Sequence, residues 1–128
     1  MTLEQVKQLS DNEIRIKVAE LLGWADLVEA RNSPDAEKFR LMLVGPFALT
    51  GTTPNGTACW RVPNYPQDLN ACAEMEETLD DSQKDNFEYV LGIVIGPGRE
   101  HWRWHLLHAT ARQRCEAFIA VKEREREI

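Results

Sequence analysis

The run His101–His108, HWRWHLLH, holds every histidine of the chain and is its chemically richest stretch. On a helix, His101, His105 and His108 share one face at spacings of four and three. Three neutral imidazoles so placed can hold zinc and leave one coordination position open, the arrangement of a metal-assisted hydrolase. On a strand, Trp102, Trp104 and Leu106 share a face, and His108 falls opposite His101 and His105. The Trp-Arg-Trp alternation favours the strand, so the reading assigns no metal, with the three histidines as the weaker alternative.

A second grouping suits binding rather than catalysis. Trp60, Arg61, Asn64, Tyr65 and Asp68 stand at the entry to a central helix; Trp102, Arg103, Trp104 and His105 precede the last one. Aromatic faces and guanidinium groups at helix starts suit an anion, a nucleotide or a protein hot spot. The ligand-binding candidates are therefore Trp60, Arg61, Asn64, Tyr65, Asp68, Arg103, His105 and Arg112. The plainer alternative is that the tryptophans are core and the arginines lay their stems over it. Arg112 and Arg114 fall in the first turn of a helix, where the dipole disfavours positive charge. An acidic group or an anion beside them would resolve that disagreement, and ordinary ion pairing would do so too.

Other chemistry is missing from the pattern. The chain has no GxSxG, HExxH or CxxC, and no glycine signature for a dinucleotide or a nucleotide phosphate. Cys59, Cys72 and Cys115 are odd in number and widely spaced, which fits reduced thiols in a cytoplasm better than a disulfide framework. A net charge of -6 argues against a general nucleic-acid binder. The amino terminus lacks the shape of a signal peptide, and no apolar run is long enough to span a bilayer. The chain reads as a non-enzyme without a cofactor.

These residues need elements to place them. At 128 residues, 43% of them hydrophobic, the chain is long enough for one domain with a real core. Thr2 with Gln5, Ser10 with Glu13 and Thr110 with Gln113 match the capping box that opens a helix. The second predicts an amphipathic helix from Ser10 to Leu22, stopped by Gly23, with Trp24 folded over its end. The third predicts a C-terminal helix with Ala111, Cys115, Phe118, Ile119 and Lys122 inward and a frayed end over 121–128. Pro66 to Leu79 reads as the central helix, with Leu69, Cys72, Met75 and Leu79 inward and Glu74, Glu76 and Glu77 in water. Leu27 and Val28 suit a short strand, and Asn55-Gly56 a hairpin joining Phe47–Leu49 to Ala58–Val62. Phe39–Val44 and Phe87–Ile95 alternate with apolar groups on both faces, as strands covered on both sides do. The resulting fold class is α+β: a three-layer α-β-α sandwich over 1–128, its mostly antiparallel central sheet carrying helices on both faces.

Three blocks in order resemble the phage ABA-sandwich domain family: Gly23-Trp24, the P-x-Y-x-x-D-L-N-A run from Pro63 to Ala71, and HATARQRCEAF from His108 to Phe118. The resemblance covers most of the chain outside Ala25–Ala58 and Asp80–Glu100; Pro66 and Gln67 depart from the pattern. It implies a small phage or prophage protein with a three-layer fold, and carries no settled activity. The combined expectation is a phage-encoded, non-enzymatic binding protein in the host cytoplasm. It would sequester a small anionic ligand such as a nucleotide signal, or block a host protein in counter-defence. A homo-oligomeric interaction module is the alternative, and the histidine-based hydrolase the second.

Overall fold

The structure is a computed structural model and describes residues 1–29, 49–57, 60–96 and 101–126. Reciprocal capping boxes open several of its helices. Thr2 exchanges hydrogen bonds with Gln5 ahead of α1 (Leu3–Lys7), and Ser10 with Glu13 ahead of α2 (Asp11–Leu21). The hydrogen bonds from Ser10 hold the Glu13 carboxyl below the ordinary range. α2 ends where Gly23 adopts φ +98°, a conformation that L side chains rarely take.

Two compact units follow from the pattern of contacts, one formed by residues 1–18 and 64–128, the other by 19–63. In the second, β1 (Ala25–Glu29), β2 (Leu49–Thr52) and β3 (Trp60–Arg61) form an antiparallel sheet in the order β1-β2-β3. Thr50 faces Arg61 and Gly51 faces Trp60 across the hairpin foretold by Asn55-Gly56. Of the expected pair, Phe47, Ala48, Ala58 and Cys59 lie outside the described residues; Leu49 does accept from the Val62 amide at 2.9 Å, and the strand runs on through Thr50–Thr52, which reads as a polar loop. A register shift separates Ala25 from Val28, and Asp26 there has φ 52°. Gly51 is needed for close approach: a Cβ would lie 2.8 Å from Leu27 Cδ2 and 3.0 Å from the Ala25 carbonyl oxygen.

The first unit is helical among its described residues. A 3-10 turn (Tyr65–Gln67) leads to α3 (Leu69–Glu77), then α4 (Asp81–Ile95), α5 (Trp102–Leu107) and α6 (Ala111–Arg126). The helix α6 packs against α1, the 3-10 turn, α3 and α4. All of Cys115–Ile119 is buried, so α6 meets neighbours around its circumference. Its terminal turns stay helical to Arg126, with Lys17 Nζ 2.6 Å from Glu123 and Gln83 donating to Glu125 at 2.7 Å.

The three-layer sandwich is not what this chain builds. The supposed central strand Phe87–Ile95 is the second half of α4, and Phe39–Val44 lies outside the described residues. Asp80 and Gln83 form the capping box that starts α4, and Phe87, Leu91 and Val94 supply its buried stripe at helical spacing. The alternating residues Tyr89 and Ile93 are instead 70% and 43% exposed. Within HWRWHLLH, Trp102–Leu107 is likewise a helix, not a strand, preceded by His101 at φ 57°. The central helix is interrupted: Asp68 is extended and caps α3 through the amides of Asn70 and Ala71. Cys72, Met75 and Leu79 are buried as the stripe requires, but Leu69 is exposed and Glu76 is half-buried.

Phe118 is fully buried on the helix that the others cover. Phe118→Ala is expected to lower unfolding stability by about 3–5 kcal/mol, measured by urea denaturation.

Candidate functional site

Arg112 leaves α6 at its first turn and spends its donors on the N-terminal helices. Its Nη1 donates to Asp11 Oδ1 at 2.7 Å, and Nη2 to the carbonyl oxygens of Leu9 at 2.5 Å and Lys7 at 3.3 Å. Lys7 is the last residue of α1 and Leu9 lies in the bend just beyond it, where no further helical turn is present to bond these carbonyls. Gln67 extends the network, donating to Asp11 at 3.4 Å and accepting from Asn64 Nδ2 at 3.0 Å. Asn64 and Arg112 are thus brought together, through Asp11 and Gln67, as a fastening of the N-terminal helices and the 3-10 turn to α6. The acidic group inferred beside Arg112 is Asp11.

The remaining candidates are dispersed. Tyr65 is buried at the 3-10 turn, where its carbonyl oxygen accepts from Cys72 Sγ at 3.1 Å. Asp68 is committed to capping α3. Trp60 and Arg61 form β3 in the other unit. Arg103 is exposed and His105 half-buried on α5. His101 stands before that helix, and the His108 ring stacks on Trp104 at 3.9 Å with its Nδ1 2.9 Å from the Trp104 carbonyl oxygen. No three His, Cys, Asp or Glu side chains among the described residues are grouped to hold a metal ion.

Cys72 and Cys115 are buried free thiols with sulfurs 3.9 Å apart. The contact with Cys72, followed by burial, pushes the Cys115 pKa up, so this sulfur stays a neutral thiol at physiological pH.

A groove that the sequence reading missed lies where α3, α4, α5 and the start of α6 meet. It measures about 730 Å3. Leu79, Phe87 and Leu91 supply apolar floor, and Leu106 and Leu107 come from α5. Leu107 is 74% exposed on that short helix, and Trp104, three residues earlier, is 61% exposed. Glu76, Glu77 and Glu88 line the groove together with Lys84, Arg103 and Arg114. Of the sequence candidates, Arg103 belongs to it. The Asp80–Gln83 capping box was the available signal, since a helical α4 turns Phe87 and Leu91 to one side. No known protein family, characterised protein or solved structure matches the chain.

One wall of the groove is held by Arg114. Its Nη1 donates to Glu76 Oε1 at 2.9 Å; Nη2 reaches the carbonyl oxygens of Leu106 at 3.2 Å and Leu107 at 3.4 Å, and Nε that of Ala109 at 3.3 Å. The Leu106 and Leu107 oxygens are end carbonyls of α5, so Arg114 caps the helix that presents Leu107. Burial raises the Glu76 pKa despite the Arg114 charge, and burial likewise raises that of Glu116 despite Arg112.

Two outcomes follow for the folded protein. Arg112→Met should cost roughly 1–3 kcal/mol, read from chemical denaturation, because it strands Asp11 and the α1 carbonyls. Raised carboxyl pKa values mean that the folded state binds protons more tightly than the unfolded chain. The contribution is present below the ordinary carboxyl range and is lost as pH rises through the folded values. Acidification from neutral to about pH 5 should therefore stabilise the protein through these two groups, and thermal unfolding of Glu76→Gln/Glu116→Gln should show a smaller gain.

Proposed function

We propose that the protein is a non-enzymatic binding protein that engages a partner protein through the groove between α3, α4 and α5. The carrying observation is the groove itself, closed below by the buried Leu79, Phe87 and Leu91 and carrying on its lip Leu107, 74% exposed. Apolar surface gathered in a concavity and rimmed by charge marks an interaction site, whereas single exposed apolar residues do not. Sequestration of a small anion draws less support. Arg112 and Arg114 are engaged within the protein, and the groove carries carboxylates on its wall.

Obstruction of a host protein is the form of activity this reading favours, exerted by occupying the partner's surface without chemistry. The phage resemblance lends it less weight than the groove does, because the fold that the resemblance implies is not the one built. The odd number and wide spacing of the cysteines support a reducing cytoplasm as the setting of this activity. Among the described residues no helix is long and apolar enough to cross a membrane.

Native mass spectrometry and titration with a partner purified from the host cytoplasm test the reading. Leu107→Asp should weaken the complex by about tenfold, while Tyr89→Ala, exposed on α4 and outside the groove lining, should not. A complex indifferent to Leu107→Asp would overturn it. A self-complex lost in the same variant would make the partner a second copy, and a bound small mass would restore sequestration.

A further inference from the structure

We propose that Asn55 is a site of self-modification: in the folded hairpin its side chain condenses with the Gly56 amide, loses ammonia and hydrolyses to isoaspartate and aspartate. The groove has no part in this reaction, which stands apart from the binding reading above.

Asn55 and Gly56 are exposed at the tip of the hairpin between β2 and β3, and Asn55 alone among the asparagines of the chain is followed by glycine. A side chain on the following residue obstructs the approach of its amide nitrogen to Cγ. Gly56 brings none, and the place its Cβ would take is open space.

A short relay activates the side-chain carbonyl. The Thr57 amide donates to Thr53 Oγ1 at 3.0 Å, and that hydroxyl donates in turn to Asn55 Oδ1. A hydroxyl that accepts one hydrogen bond is a stronger donor of the next. Attack of the Gly56 nitrogen on Asn55 Cγ moves the carbonyl electron pair onto Oδ1, so the Thr53 hydroxyl stands where negative charge develops. The intermediate collapses by breaking the Cγ–Nδ2 bond. Nδ2 leaves as ammonia with the proton that Gly56 surrenders, and a succinimide ring remains. Water then opens the ring. Addition at Cγ gives aspartate, and addition at the main-chain carbonyl carbon gives isoaspartate, whose chain runs through Cγ.

One interaction opposes the attack. The Gly56 amide donates to the Thr53 carbonyl oxygen at 2.9 Å and must leave it first. That bond lies at an exposed tip, where opening needs only local motion. Either product adds a carboxylate to a chain of net charge -6. Isoaspartate also lengthens the main chain within the turn that sets Thr50 opposite Arg61 and Gly51 opposite Trp60, and so puts β3 out of register.

The full chain, aged at mildly alkaline pH, tests the site. Peptide mapping by mass spectrometry should find the amide of Asn55 exchanged for a carboxylate, with ammonia released in equal amount. Methyl transfer by a protein isoaspartate methyltransferase should mark the isoaspartate fraction. Asn12, Asn70 and Asn86, held in helices, should stay intact. Thr53→Val should slow the conversion about fivefold, and Thr53→Ser should restore it. Loosening of the turn would free the Gly56 amide and speed the reaction, so a slower Thr53→Val variant isolates the hydroxyl. A rate unchanged or raised in Thr53→Val would overturn the relay. An Asn55 left intact in the folded chain over the time in which the urea-unfolded chain reacts would overturn the site itself.

Discussion

Burial of α6 is the constraint on which the helical unit depends. Cys115, Ala117, Phe118 and Ile119 are fully buried, so no side of this part of the helix is left to solvent. A helix in that position needs cover in several directions, and α1, the 3-10 turn, α3 and α4 supply it. Glu116, 7% exposed in the middle of the run, is tolerated with the Arg112 Nε 4.0 Å from its carboxylate.

The two arginines at the start of α6 turn a local disadvantage into long-range ties. Positive charge in a first turn opposes the helix dipole, yet both side chains reach away to the carbonyl ends of other helices, where the dipole welcomes them. Arg112 holds the end of α1 and Asp11; Arg114 holds the end of α5 and Glu76. Each therefore fastens a helix too short to be stable alone. The sequence pattern that suggested an anion site is explained by this arrangement without one.

The groove is a consequence of the same geometry. Because α5 has its end carbonyls held by Arg114, its Leu106 and Leu107 meet the apolar side of α4 across a gap that none of the described side chains fills. Apolar surface left exposed beside carboxylates is a cost to an isolated protein and an asset to one that binds. The thiols of Cys72 and Cys115 lie in the packed interior and serve as small apolar groups there.

Local polar chemistry was legible without the fold. The capping boxes at Thr2, Ser10 and Thr110, the stop at Gly23 and the Asn55-Gly56 turn each depend on residues a few positions apart, so the chain carries them explicitly. The inward stripe of α6 was readable for the same reason, its period being that of a helix. The alternating runs Phe87–Ile95 and Trp102–His108 were not decided by their own residues. Their β-branched and aromatic side chains suit a strand, and the preference is small enough for packing to override. What made them helices is tertiary: Phe87, Leu91 and Val94 are buried together only at helical spacing, and α4 lies against α6. Arg112 meets Asp11 across a separation of 101 residues and Arg114 meets Glu76 across 38. No sequence period encodes such pairings, because they exist only after the helices have been brought side by side.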